Sequence, residues 1–149
     1  MPLMTFHLGE GGGPRFEIDP PAYERYRPLG AWITGEVGKL LGVCLDALAS
    51  VDDALTGRPV EPWTSESYDV TIDASGLRFK NFYAEPEQGR YSLDEFRQVA
   101  EEYWRFLVTI PERPGTHREY WPELPLPEAE VRLWEKVWKR PHPYRGRLF

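Results

Sequence analysis

Cysteine is almost absent: Cys44 is the only one in 149 residues. One thiol closes no internal disulfide, so a reducing compartment is the expectation. Cys44 itself falls inside an apolar helical pattern and reads as a small buried hydrophobe. Histidine is nearly as sparse. His7, His117 and His142 stand in a strand, a loop and the tail, and no Gly-x-Ser-x-Gly elbow accompanies them, so the parts of a nucleophilic triad are missing. Short-spaced His, Cys or carboxylate sets for metal ligation are missing too, since Asp52 and Asp53 are neighbours pointing to different sides of a helix. Among 24 acids no pair stands out for acid–base work. His117, beside Arg118 and Glu119, is the best single catalytic candidate, against the plainer reading of a surface-loop histidine. No apolar run approaches the ~20 residues needed to cross a bilayer. Met1-Pro2-Leu3-Met4-Thr5 shows no basic region leading into an apolar run, so no secretory signal is read there. These absences predict a cytoplasmic protein that is not an enzyme, with no cofactor and no metal.

Two things are plentiful: aromatics, at 14%, and prolines, of which there are 15. The aromatics must be buried or used at a surface, because Trp and Tyr combine contact area with a polar tip. The prolines mark long, well-directed connections. The length fits one domain over residues 1–149, large enough for a core without staples. The net charge of −6 is uneven: residues 1–35 carry −1, residues 36–76 carry −6 and residues 77–149 carry +1. An acidic middle third argues against direct nucleic-acid binding. It suits a basic protein partner steered in by that field, or simply a solvated acidic face.

Taken in order, Leu3 to Leu8 and Arg15 to Asp19 alternate as two short strands, with Phe16 and Ile18 inward, able to pair as a hairpin. Glu10-Gly11-Gly12-Gly13-Pro14 between them is a turn; no Gly-Lys-Ser/Thr follows to make it a phosphate cradle. A helix is expected from about Gly35 to Leu55, with Thr34 as N-cap and Gly57 closing it. Val37, Leu40, Leu41, Cys44, Leu48, Val51 and Leu55 form its buried stripe, while Lys39, Asp46, Ser50 and Asp53 lie on the opposite, outer face. Tyr68 to Ile72 and Leu77 to Phe82 bracket Asp73-Ala74-Ser75-Gly76 as a hairpin. Its self-consistent register sets Ile72 against Leu77 and Val70 against Phe79 on the core side, with Thr71 against Arg78 and Asp69 against Lys80 on the wet side.

Ser92 and Glu95 then form a capping box for a helix running to about Ile110. Leu93, Phe96, Val99, Ala100, Tyr103, Phe106, Leu107 and Ile110 make one wide apolar face, and Arg97, Glu101 and Arg105 pair along the other. After a proline-rich connection, Pro127 opens a short amphipathic helix with Val131, Trp134, Val137 and Trp138, stopped by Pro141. Residues 141–149 read as a mobile basic tail. The fold class is therefore α+β: an antiparallel sheet of about four strands packed on one face by two long helices, plus a short C-terminal helix.

From Trp32 to Leu107 the order of residues resembles a known arrangement: Trp32 leading into the long helix, Gly57, Trp63, the hairpin with Val70-Thr71-Ile72-Asp73 and Phe79 to Asn81, then Tyr91-Ser92-Leu93-Asp94-Glu95-Phe96 and Trp104-Arg105-Phe106-Leu107. It is similar to bacterial immunity proteins of polymorphic-toxin and contact-dependent growth inhibition systems, and also resembles the YacL-like family of small cytoplasmic proteins. The likeness covers half the chain and rests on structural motifs, and the proline-rich C-terminal third has no counterpart. It implies binding: an immunity protein occludes the active site of a cognate toxin domain, commonly a basic nuclease. Partner contacts are then expected from Asp46 and Asp53 on the outer helix face and from Glu61, Trp63, Glu66 and Asp69 beyond it. Two alternatives stay open. One is a small-molecule binder with Tyr120, Trp121, Trp134 and Trp138 lining a pocket; the other is a scaffolding protein that self-associates through Trp134 and Trp138.

Overall fold

In the computed structural model, which describes residues 2–85 and 88–149, the alternating stretches Tyr68–Asp73 (β4) and Gly76–Asn81 (β5) pair in the expected register, from Tyr68 opposite Asn81 to Asp73 opposite Gly76. The turn needs its glycine. Gly76 has φ +127°, and a Cβ there would meet the Tyr91 carbonyl oxygen at 2.5 Å. Trp63–Thr64 (β3) adds to β4 and Gly89–Tyr91 (β6) to β5, giving an antiparallel sheet in the order β3-β4-β5-β6. Both edge strands are short, which limits pairing with other chains. The first hairpin, Thr5–Leu8 (β1) with Pro14–Glu17 (β2), stands apart as a two-stranded sheet. Phe6 ties it to the body, its ring 4.7 Å from that of Tyr103. The class is α+β, with four α-helices beside these sheets among the described residues.

Leu93–Leu107 (α3) begins on the capping box. Ser92 Oγ accepts from Glu95 N–H at 3.0 Å and Ser92 N–H donates to Glu95 Oε1 at 2.9 Å. Leu93, Phe96, Val99, Ala100, Tyr103 and Leu107 are buried as the spacing predicts, joined by Trp104. The helix stops at Leu107, and residues 108–110 form turns rather than a further helical stretch. Arg97 holds Glu101 at 2.8 Å, with Arg105 at 3.9 Å from the same carboxylate.

The expected helix from Gly35 is corrected. Helix starts earlier, at Tyr23–Trp32 (α1), passes through a π-turn at Ile33–Val37, breaks, and resumes as Leu41–Leu55 (α2). Gly38 makes the break with φ +56°, a conformation that other residues rarely adopt. Thr34 caps nothing; its hydroxyl donates back to the Gly30 carbonyl at 2.8 Å. Val37 remains a core residue although it lies outside α2, whereas Leu40 and Leu55, expected in the buried stripe, are both 62% exposed. Gly57 follows the helix end with φ +79°, as expected.

Leu126–Trp138 (α4) carries Pro127 in its first turn. Val131 and Trp134 are buried, but Val137 and Trp138 face outward. Residues 141–149, expected as a mobile tail, are instead packed into the body. His142 and Tyr144 are buried among the core side chains, the Phe149 ring lies 5.2 Å from Trp104, and Arg145 reaches Glu135 at 2.6 Å. Composition hid this, because the basic residues in the segment alternate with aromatic ones that dock. Among the described residues, no helix is long and apolar enough to cross a membrane.

Candidate functional site

The outer face of α2 is not bare. α4 and the end of the chain lie against it, and the contacts fall on the acids expected to meet a partner. Asp46 Oδ1 accepts from the Trp134 indole N–H at 2.9 Å. Asp53 Oδ2 accepts from Arg140 at 3.0 Å, while its Oδ1 lies 3.7 Å from Arg58 without a hydrogen bond. Both acids are half-buried, and Ser50, expected to face outward, is buried. The outer-face placement is therefore corrected. Helical periodicity says where a side chain points but not what a segment 87 or 88 positions away will lay over it.

α4 covers that face incompletely, and what remains is a groove centred on Asp46. Three cavities, of about 390, 160 and 260 Å³, all have Asp46 in their walls. The first lies between the start of α2 and α4, bounded by Leu40, Val43, Trp134, Val137 and Trp138. The second reaches Trp32, Glu36 and Trp63. The third joins Asp53, Glu61 and Trp63 to Trp134, Trp138 and Arg140. Large apolar side chains stand open at the rim of the first: Leu40 is 62% exposed, Val137 64% and Trp138 56%. An apolar rim bordered by polar groups has the make-up of an interaction surface.

Charge in the groove is mostly negative: Glu36, Asp46, Asp53, Glu61 and Glu130 against Lys39 and Arg140. Burial raises the Asp46 carboxyl above its ordinary value, and the indoles of Trp134 and Trp138 pull it part of the way back. Its hydrogen-bond partners here are neutral. Arg140 displays the chemistry the walls favour: its guanidinium sits 5.1 Å over the Trp134 ring while hydrogen-bonding Asp53. A cation over an aromatic face beside a carboxylate is a strong combination.

Of the six residues expected to meet a partner, Asp46, Asp53, Glu61 and Trp63 share one cavity. Trp63 is held there by stacking on Trp32 at 5.2 Å. The other two lie elsewhere. Glu66 is exposed in the β3–β4 connection, and Asp69 sits on the solvent face of the sheet, taking a hydrogen bond from Thr64 Oγ1 at 3.2 Å. Trp134 and Trp138 were visible in the sequence as an i,i+4 pair, a spacing that puts both on one side of a helix. Leu40 was expected in the buried stripe and Val137 on the apolar face of the last helix, so neither pointed to an open groove, and Glu130 carried no signal at all.

The other candidates resolve simply. Cys44 is fully buried, its thiol 3.8 Å from the Ala100 carbonyl and raised in pKa by desolvation. His117 is exposed beside Arg118, which ties the proline-rich connection together by reaching Glu112 at 3.1 Å and the carbonyls of Trp121 at 2.8 Å and Leu124 at 2.5 Å. Tyr120 is engaged, donating its hydroxyl to Glu130. Among the described residues no group of three potential metal ligands is assembled. Compared with protein families, with curated proteins and with solved structures, the chain matches none.

Proposed function

We propose that the chain is a partner-binding protein whose acidic, tryptophan-walled groove receives a basic protein. On this reading it is an immunity protein that neutralises a cognate toxin domain in the cytoplasm by covering its active site. The supporting observation is the convergence on Asp46: a half-buried carboxylate with neutral hydrogen-bond partners, four tryptophans in the walls of the cavities it shares, and an exposed apolar rim. Aromatic anchors flanked by charge are what binding hot spots are made of. A basic nuclease cleft complements it in sign, and such an encounter accelerates at low salt.

The test is native mass spectrometry of the protein isolated from its own source at low ionic strength. A stoichiometric basic domain should accompany it and dissociate as salt rises. Trp138→Glu or Glu61→Lys should abolish the complex, and the isolated domain should regain a toxic activity that the intact chain suppresses. A bare chain at every ionic strength and growth state ends this reading. The exposed Leu40, Val137 and Trp138 also support a second one, self-association through α4. It predicts a mass that doubles with concentration and a Trp138→Glu variant that stays monomeric.

A further inference from the structure

Arg78 and Arg90 stand directly opposite each other across β5 and β6, an arrangement in which like charges destabilise a sheet. Both are exposed, as is Lys80, two residues along β5 on the same side. Among the described residues, none of the three takes part in an ion pair. Thr71 completes the row, opposite Arg78 on β4, and Asp69 lies opposite Lys80. With Gln88 these residues line an open hollow of about 540 Å³ on the face of the sheet turned away from the core.

We propose that this face is a binding site for a phosphate monoester. Two guanidinium forks side by side offer more parallel donors than one carboxylate's two oxygens accept, and they suit the three terminal oxygens of a phosphate. Thr71 adds a hydroxyl donor at the end of the row. The charges match as well. Among the described residues lining the hollow, three cations less Asp69 leave two positive charges, with Asp73 just outside and felt by Arg78, and a phosphate monoester carries about −1.5 to −2 at neutral pH. A polyanion fits less well. The whole chain is −6, and Asp69 and Asp73 bound the patch, so each further phosphate beyond the first meets repulsion. The ligand dianion relieves the repulsion between Arg78 and Arg90 that the free protein carries.

The experiment is an amide NMR titration of the full chain with inorganic phosphate and phenyl phosphate, with glutamate and decathymidylate as comparators. Both phosphates should shift Thr71, Arg78, Lys80 and Arg90 in a saturable manner, with glutamate roughly tenfold weaker or more. Arg78→Glu and Arg90→Glu should each weaken phosphate at least about tenfold. Arg90→Glu should keep or raise the thermal midpoint, because it turns a repulsive cross-strand pair into an attractive one. That combination separates a site from a structural role. Shifts spread equally over basic residues elsewhere, unchanged phosphate affinity in both variants, or glutamate binding as well as phosphate would each overturn the proposal. So would decathymidylate binding more tightly than either phosphate.

Discussion

His142 and Leu45 are joined across 97 positions, ring Nε2 to carbonyl oxygen, at 2.9 Å. Tyr144 N–H donates to Nδ1 at 3.1 Å, so the proton resides on Nε2 and donates to Leu45. The ring is neutral with both nitrogens satisfied. Desolvation lowers its pKa from the ordinary 6.5; the Leu45 carbonyl and Glu135 oppose this, and Arg140 and Arg145 add to it. Protonation would set a second N–H against that of Tyr144. The unfolded histidine takes its proton at higher pH than the folded one, so this contribution to stability is complete above the unfolded value and is lost as pH falls through the folded one. The thermal midpoint should fall as pH drops below the ordinary histidine value of 6.5. His142→Gln, whatever its baseline, should flatten that slope. Equal slopes in the two proteins would show that the ring is not the titrating group.

Glu95 predicts a graded pair of variants. Its carboxylate takes Ser92 N–H at 2.9 Å, Arg25 at 2.8 Å on each oxygen, and the Tyr26 hydroxyl. Burial pulls its pKa up, but those donors outweigh it and leave the carboxyl below its ordinary value. Ser92→Ala removes one cap and should cost about 1 kcal/mol in urea denaturation. Glu95→Gln should cost more, because it turns an amide toward Arg25 and Tyr26 as well. The wild type should also lose stability as pH drops below the ordinary carboxylate value of 4.5, and Glu95→Gln should lose less over that interval. If Ser92→Ala proves the worse of the two, the long-range half of the Glu95 network contributes nothing.

What the sequence disclosed and what it hid divide by range. The β4–β5 register and the Ser92–Glu95 box were readable because each is set within a few residues, by alternation and by a local hydrogen bond. The α1–α2 break was not, because Val37 and Leu41 keep helical spacing through a backbone that Gly38 interrupts. The groove was half-legible. Its acids and Trp63 appeared as a charge cluster with an aromatic anchor, but Trp134 over Asp46 and Arg140 on Asp53 are contacts that no local pattern encodes. The docked tail was hidden for the same reason, since His142 finds its partner on α2.

Gly30 tests how the first hairpin is attached. A Cβ on Gly30 would stand 2.6 Å from the Phe16 ring, so Gly30→Ala must push that ring, and β2 with it, off α1. Overpacking of this kind costs about 1–3 kcal/mol. Protease cleavage in the loop at Gly11 to Gly13 should accelerate in the variant. Phe16→Leu, which gives the new methyl room, should restore part of the loss when combined with Gly30→Ala. Two additive losses would place the strain elsewhere.

Trp134 and Trp138 lie one turn apart on α4 with rings 6.1 Å apart, yet they should respond very unequally to truncation. Trp134 is 5% exposed, donates to Asp46, and packs against His142 at 4.4 Å. Its replacement by Ala should cost about 3–5 kcal/mol. Trp138 is 56% exposed, so its replacement should cost far less, about 1 kcal/mol for the indole it offers Asp46. Asp46→Asn keeps an oxygen for the Trp134 indole and removes a half-buried charge, so it should not lower the thermal midpoint. If the groove receives a basic partner, Trp138→Ala and Asp46→Asn should both weaken that complex while leaving the fold intact, which circular dichroism and calorimetry would verify beside the binding curve. A Trp138→Ala protein as unstable as Trp134→Ala would mean that the outer ring serves the fold, and the groove would lose its strongest claim to a partner.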